Sequence, residues 1–140
     1  MRISTKGRYG LKAAVELARG AASGAPVSLK TISGKQGIPL NYLEQLIILF
    51  KKADYVTSIR GPRGGYSLIK PPEEITVGEV LRLFEGSISP VECVETGEAV
   101  CNFGECSNCS TKNLWSRMYE GVTGVVDSMT LLDLIESKED

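Results

Sequence analysis

Residues 39–70 read PLNYLEQLIILFKKADYVTSIRGPRGGYSLIK, and the spacing of their apolar residues changes partway along. Leu43, Leu46, Ile47 and Phe50 recur at helical spacing, which predicts an amphipathic helix that begins near Pro39. The two runs that follow, YVTSI and YSLIK, are typical of strands and flank the glycine-rich turn RGPRGG. The stretch therefore predicts a helix followed by a β-hairpin.

The turn of this hairpin is both flexible and basic. Its glycines give the backbone the freedom that a tight turn requires, and Arg60 and Arg63 place two guanidinium groups at the tip. A glycine-rich arginine turn can also be nothing more than a turn. Its position directly after an amphipathic helix favours a role in binding.

Two further helices are predicted upstream. Apolar residues from Leu11 to Ala18 recur at helical spacing, which predicts a first helix over about residues 5–20 that Ser4 or Thr5 can cap. The segment GAASGAP then breaks the pattern.

The second helix is short. Ser28 can cap it, Leu29 and Ile32 supply its apolar face, and Gly37 ends it. Two short helices joined by a glycine-containing turn, followed by a hairpin, predict a winged helix-turn-helix over residues 1–70. The fold class is accordingly mainly α with a small β-hairpin.

Charge is divided unevenly along the chain. Residues 1–70 contain 12 Lys and Arg against 3 Asp and Glu, a net charge of +9, whereas residues 71–140 contain 4 against 14, a net charge of −10; together they give the −1 of the whole chain. A basic half joined to an acidic half indicates a module that binds a polyanion and a separate regulatory or assembly part. Two solvated faces are the plainer alternative.

The basic half is predicted to bind double-stranded DNA. The third helix would enter the major groove with Asn41, Tyr42, Glu44 and Gln45 near base edges, while the wing arginines approach the minor groove or phosphates. Tyr42 can instead pack at the edge of its helix, and polar residues on a helix face are often only solvated. The candidate DNA-binding residues are Arg2, Ser4, Lys6, Arg8, Tyr9, Ser28, Pro39, Asn41, Tyr42, Glu44, Gln45, Lys51, Arg60, Arg63 and Gly64.

The acidic half begins with a connecting region, residues 71–92. There Thr76 and Glu79 have the spacing of a capping box ahead of a short amphipathic helix. A long helix is then predicted from about Ser110 to Ser137, within the C-terminal segment 110–140.

This long helix carries more apolar surface than a small domain can cover, so we expect it to pair with its own copy in a homodimer, although packing on its own domain is the alternative. A twofold dimer would suit a palindromic operator. Gly121 and Gly124 either allow close helix approach or weaken the helix. The predicted dimerisation residues are Trp115, Met118, Val122, Val125, Val126, Met129 and Leu132.

Four cysteines, Cys93, Cys101, Cys106 and Cys109, lie within residues 93–109, and the rest of the chain has none. Clustered thiols on a short glycine-containing stretch suit zinc or an iron-sulfur cluster. A thiol redox switch, disulfides and inert buried thiols are the alternatives. The polar N-terminus lacks the apolar region of an export signal, and no run of about 18 apolar residues predicts a membrane span, so a cytoplasmic protein is expected.

Enzymatic activity is not expected. The chain has no histidine, no recognisable pairing of a nucleophile with a base, and no phosphate-binding glycine loop. These observations exclude the common catalytic arrangements and predict no small-molecule substrate.

Four motifs together resemble a known family: MRISTKGRYGL at the start, LNYLEQL in the third helix, RGPRGGYSL in the wing, and CSTKNLW after the cysteines. The chain resembles, over nearly all of its length, the winged-helix regulators of the Rrf family that include IscR, NsrR, RirA and CymR. Its pattern is most similar to that of the IscR-like members. The resemblance implies a transcriptional regulator, most simply a repressor, of genes for iron-sulfur biogenesis, iron or redox metabolism.

The resemblance also implies how the cysteines are used. In cluster-binding members three cysteines hold a 2Fe-2S or 4Fe-4S cluster with a fourth, non-cysteine ligand; Cys93, Cys101 and Cys109 resemble those three, although Cys106 could take the second place. The histidine of IscR-like members is replaced by Lys112, and the acidic ligand of NsrR-like members by Arg8. Cys106 is therefore the leading candidate for the fourth ligand. A 2Fe-2S cluster is favoured, 4Fe-4S is possible, and zinc is the alternative because it also accepts four thiolates.

The expected mechanism is sensing. Gain or loss of the cluster would reorganise residues 93–109, shift the long helix and the neighbouring region near Arg82, and so change DNA affinity. Alternatives are a zinc-stabilised or thiol-redox regulator without a cluster, and an iron-sulfur electron carrier, which would leave the wing unexplained.

Overall fold

The computed structural model describes residues 1–95 and 109–137 of the 140-residue chain. In these parts the chain forms six α-helices, two short 3₁₀ turns and one antiparallel hairpin. Their bounds are α1 Thr5–Ser23, α2 Leu29–Gln36, α3 Leu40–Lys52, β1 Val56–Ile59, β2 Gly65–Leu68, a turn at Pro72–Glu74, α4 Val77–Glu85, a turn at Glu92–Val94, α5 Lys112–Val126 and α6 Leu131–Glu136.

The first three helices form where the sequence predicted them, because their ends are fixed by local signals. The Ser4 side chain caps α1 by accepting a hydrogen bond from the Gly7 amide, and Ser28 caps α2 in the same way from Thr31. Gly37 ends α2 in the left-handed conformation that glycine adopts without strain. The predicted helix-turn-helix is confirmed.

The hairpin pairs Val56 with Leu68 and Ile59 with Gly65, which leaves residues 60–64 as its loop. We call residues 56–68 the wing. Its base is tied to the rest of the domain, since Val27 and Tyr66 exchange two backbone hydrogen bonds of 2.9 and 2.8 Å. Gly65 has a φ of 154°, and a side chain there would overlap the Val27 carbonyl, so only glycine allows the wing to approach this closely.

One hydrophobic core joins the helices of the basic half to α4 and α6. Phe50 lies at its centre with 1% of its surface exposed and meets the Phe84 ring edge to face, with the ring centroids 5.0 Å apart. Gly10 of α1 lies directly against Phe84, where a side chain would overlap the ring. The α1 and α4 helices are therefore in close contact.

The predicted C-terminal helix is wrong in its length: the structure divides it into α5 and α6. Thr130 adopts an extended conformation and forms a capping box with Asp133 that starts α6. The Met129 carbonyl accepts a hydrogen bond from Val77, and the Leu131 amide donates one to Ile75. After the break, Leu131 is fully buried at the start of α6.

The predicted capping box at Thr76 and Glu79 is confirmed and starts α4. Among the described helices, none combines the length and the apolar character needed to cross a bilayer.

Candidate DNA interface and cysteine segment

The outer face of α3 presents the polar residues that the sequence assigned to base recognition. Asn41, Glu44 and Gln45 are exposed, whereas Leu43 and Leu46 on the opposite face are buried in the core. Amide and carboxylate groups on an exposed helix can donate to and accept from base edges in the major groove. Pro39 precedes the helix and Lys51 lies in its last turn.

The start of α1 lies beside this recognition face. Lys6 shares with Tyr42, Gln45 and Ile48 a recess of about 400 Å³. Tyr42 is half-buried and packs edge to face against Tyr9, with ring centroids 5.5 Å apart. Packing against α1 therefore accounts for the position of the Tyr42 ring.

Ser4 makes its hydrogen bonds within the protein. Its backbone amide and its hydroxyl both donate to Oε1 of Glu85, at 2.9 and 2.6 Å, so that an acid from α4 lies at the positive end of α1. Arg2 and Arg8 flank Ser4 and line a recess of about 390 Å³ with it. The first turn of α1 is thus basic outside and bonded to α4 inside.

The wing loop and the first two helices enclose a larger cavity, of about 590 Å³, which we call the wing cavity. Arg63 and Gly64 of the wing line it, and so does Ser28, the N-cap residue of α2. The predicted DNA-binding residue Ser28 is therefore brought together with two others, Arg63 and Gly64, that lie 35 or more residues further along the chain. Arg60 is exposed in the same loop.

The floor of the wing cavity contains Glu16, which is only 2% exposed. Its carboxylate accepts hydrogen bonds from Arg19 and from Gln36, the latter at 2.7 Å, and lies 3.8 Å from the Lys35 amino group. Sequence reasoning missed this group. The signal available was one acid on the otherwise basic α1, but only the fold reveals that α2 supplies its partners.

An ion pair joins α4 to the end of α5. Arg82 donates two hydrogen bonds to the Asp127 carboxylate, at 2.6 and 2.8 Å. These bonds lower the pKa of Asp127 below its usual range and raise that of Arg82. Gly78 lies beneath the pair, where a side chain would overlap the Asp127 carboxylate.

Two of the four cysteines lie in described residues. Cys93 is half-buried in the turn Glu92–Val94, which contacts α5, and Cys109 is exposed three residues before α5 begins. A hydrogen bond with the Thr111 hydroxyl, helped by backbone amides and by the charge of Lys112, lowers the pKa of the Cys109 thiol. Cys101 and Cys106 lie outside the described residues, so their predicted roles remain predictions.

The donor set fits a soft metal centre. Thiolates are the ligands of iron-sulfur clusters and of structural zinc, and a lowered thiol pKa favours the thiolate form that binds metal. Within residues 1–95 and 109–137, no three potential ligand side chains come together to hold an ion. The described residues therefore contribute two thiols and not a complete site.

The apolar residues of α5 form two stripes about 100° apart around the helix. The inner stripe is Trp115, Val122 and Val126, of which the two valines pack with Met129 against Val77, Leu81 and Ile88 of the same chain. The outer stripe is Leu114, Met118, Gly121 and Val125, all of them exposed. The sequence had placed Met118 and Val125 with Val122 and Val126 on one dimerisation face; the structure separates them, and Leu132 lies half-buried on α6.

A helix-turn-helix followed by an anchored wing, with basic residues around both, defines a winged-helix DNA-binding protein. The chain matches the Rrf2 family, described as iron-dependent transcriptional regulators, over residues 3–137. This protein belongs to that family, which confirms the resemblance seen in its motifs. It is a transcriptional regulator and not an enzyme.

Its relatives include regulators of two kinds. It is 44% identical to the HTH-type transcriptional regulator CymR of Bacillus subtilis, over 96% of this chain and 89% of that protein. It is 40% identical to the HTH-type transcriptional regulator IscR of Klebsiella pneumoniae, over 99% of this chain and 82% of that protein. The solved structure of CymR, the global cysteine regulator of Bacillus subtilis, superimposes with a TM-score of 0.83 at 41% identity and covers 99% of both chains.

Proposed function

We propose that this protein is a homodimeric, sequence-specific regulator whose affinity for a palindromic operator depends on an iron-sulfur cluster held by residues 93–109. The observation that carries the DNA-binding part is the pairing of the predicted contact residues. Lys6 of α1 shares a recess with Gln45 of α3, and Ser28, the N-cap residue of α2, shares a cavity with Arg63 of the wing. The net charge of +9 over residues 1–70 supports the same assignment.

The outer stripe of α5 supports the dimer. Leu114 and Val125 are 53% and 58% exposed, and they lie with Met118 on one face of a helix that has no buried residue of its own. Gly121 lies on the same face with open space around it, so a second helix could approach closely. We propose that α5 of a second copy covers this stripe.

Four thiols in residues 93–109 support the cluster, with Cys106 as the proposed fourth ligand. When bound, an iron-sulfur cluster would supply a group whose presence depends on iron, oxygen or redox state. The protein's part is to connect that segment to the DNA-binding helices.

A continuous set of contacts provides the connection. Cys93 lies in a turn against α5, Asp127 at the end of α5 is bonded to Arg82 in the last turn of α4, and Glu85, the last residue of α4, is bonded to Ser4. We propose that a shift of α5 reaches the first turn of α1, and with it Arg2 and Lys6, along this route. Because such coupling is reciprocal, operator DNA should change the stability of the cluster by the same factor.

A second candidate is a thiol-redox or zinc-stabilised regulator without a cluster. It is favoured by the similarity to CymR, which is as extensive as the similarity to IscR, and by the exposure of Cys109. Under this candidate the thiols would respond to oxidation, or zinc would only hold the segment together.

Anaerobic purification followed by iron, sulfide and zinc analysis separates these candidates. The cluster proposal expects iron and sulfide in matching amounts in each subunit, and zinc without sulfide would refute it. A duplex selected from a random library should then be bound differently by apo and loaded protein. Equal affinity and equal sequence preference in both states would contradict sensing.

The fourth ligand is tested by Cys106→Ser, with Lys112→Ala as the matched control at the position where IscR-like members carry histidine. We expect Cys106→Ser to lose or alter the cluster absorbance and Lys112→Ala to retain it. The opposite result would refute the assignment of Cys106.

Docking is tested on the same selected duplex. Arg60→Ala should weaken binding and relax the preference at minor-groove positions, whereas Lys6→Ala should weaken all sequences alike and lower the salt slope by about one. Unchanged binding in both variants would refute this orientation.

A further inference from the structure

The wing cavity contains cations that the proposed contacts do not use. Arg19 of α1 and Lys35 of α2 line it together with Arg63 of the wing, and the hydroxyls of Ser28 and Thr31 lie on the same lining. The only acid among these lining residues is Glu16. Three cations and one carboxylate leave a net charge of about +2 around a cavity that opens beside the wing loop.

Glu16 forms ion pairs with both helix-borne cations. Its buried carboxylate is bonded to Arg19 and faces Lys35, while the Gln36 amide holds it from α2 at 2.7 Å. The side chains of Arg19 and Lys35 are still 50% and 61% exposed. Both cations therefore lie close to Glu16 and remain accessible to an anion from solvent.

The wall opposite is also fixed. The two backbone hydrogen bonds between Val27 and Tyr66 hold the wing base to the connection between α1 and α2. The loop that carries Arg63 is therefore attached to a wing base whose backbone is held beside the start of α2. The cavity lies between the wing loop and the start of α2, so a DNA strand that contacts both Arg63 and Ser28 would pass over it.

We propose that the wing cavity seats one phosphate of the DNA backbone, bound by Arg19 and Lys35, with Glu16 as the positioning residue. The inference rests on the proposed DNA-binding function and extends it to residues outside the helix face and the wing tip. A free phosphate ion offers the same chemistry, but the cavity borders two predicted DNA-contacting elements, which favours the DNA backbone as the source.

Methylphosphonate substitution tests this directly, because it removes the charge of one phosphate at a time. Wild-type protein and the Arg19→Ala/Lys35→Ala double variant are titrated with a set of duplexes of the selected sequence, each neutral at one phosphate. One position should weaken wild-type binding by about tenfold, as expected for a charge-assisted contact, and should have no effect on the double variant. Lys70→Ala, which removes an exposed cation two residues beyond the wing, is the matched control and should keep the full effect.

Glu16→Gln tests the positioning role. The side chain keeps its size and both cations remain, yet the penalty at that one phosphate should shrink severalfold while the penalties elsewhere stay as in wild type. A uniform change at all phosphates would show that Glu16 only supports the fold and would overturn its role here.

Three further outcomes are decisive. If no duplex is selected, the proposed DNA-binding function itself fails. If a duplex is selected but no phosphate position distinguishes wild type from the double variant, only the wing-cavity inference fails. Binding of inorganic phosphate that is lost in the double variant, without any position-specific effect in DNA, would overturn the backbone as the source.

Discussion

The DNA-binding half and α5 are both built from amphipathic helices, but only the first contributes fully buried apolar residues to the core. Phe50, Ile32 and Leu43 of the basic half are almost fully buried, whereas α5 has no buried residue and exposes Leu114, Met118 and Val125 on one face. The same contrast holds for glycines. A side chain at Gly10 of α1 would overlap Phe84, while one at Gly121 of α5 would meet open space.

The difference shows which part of the molecule forms a buried core within a single chain. A closed core sets the stability of a domain, because burial of apolar area is its main source. An exposed apolar face instead makes assembly depend on concentration. We therefore expect substitutions in the first region to change folding, and substitutions on the outer stripe of α5 to change association.

The largest effect is expected for Phe50→Ala. Removing a fully buried ring leaves a cavity beside Phe84 and should lower the free energy of unfolding by about 3–5 kcal/mol. Denaturant unfolding measured on dilute protein tests this. Leu114→Ala is the control and should change the same quantity by less than about 0.5 kcal/mol; equal losses in both would contradict the contrast between the regions.

Met118→Glu should act on assembly. A carboxylate at the centre of a helix pair would have to lose water without a partner, so we expect the dimer dissociation constant to rise at least about 100-fold. Sedimentation across a concentration series measures it. Glu120→Lys, at an exposed position about 120° around the helix from Leu114, is the comparison, and an equal loss of dimer there would show that the stripe is not the interface.

The paired substitutions Gly10→Ala and Gly121→Ala should have opposite signs in dilute protein. Overlap with Phe84 should lower the free energy of unfolding by about 1–3 kcal/mol at Gly10, despite the better helix propensity of alanine. At Gly121 the propensity gain of about 1 kcal/mol should remain. Thermal unfolding of both variants tests the pair, and destabilisation at Gly121 in the monomer would contradict the open environment.

The smallest effect is expected at the Arg82–Asp127 pair, which is partly exposed. Asp127→Asn should lower the free energy of unfolding by less than about 1 kcal/mol at neutral pH. Because Arg82 lowers the pKa of Asp127 in the folded protein, the contribution is present above the unfolded carboxyl pKa of about 4 and is lost as pH falls through the lowered value. Unfolding curves of wild type and variant should therefore converge in acid; a constant difference would exclude the ion pair as its source.

Much of the fold could be predicted because the deciding signals are local. Ser28 and Gly37 delimit α2 within ten residues of sequence, and Thr76 with Glu79 starts α4 by a pattern four residues long. The change from helical to strand spacing of the apolar residues likewise predicted the wing. Such signals depend on neighbours along the chain, which a sequence shows directly.

The missed features depend on partners that are distant in sequence. The C-terminal helix is divided because Leu131 reaches a buried position beside Ile75. The split of α5 into an inner and an outer stripe depends on where α4 lies, since helical spacing alone does not separate adjoining apolar faces. The four thiols were recognised as a group from sequence, and their common site remains a prediction because Cys101 and Cys106 lie outside the described residues.

By itself, the sequence determined the family, the helix-turn-helix, the wing and the cysteine segment, because a short motif with characteristic spacing identifies each of them. Only the tertiary structure decided that Glu85 bonds to Ser4, that Glu16 holds Arg19 and Lys35 beneath the wing, and which face of α5 is left exposed. The physical reason is that hydrogen bonds, ion pairs and burial act through space, and their partners are fixed only when the chain has folded.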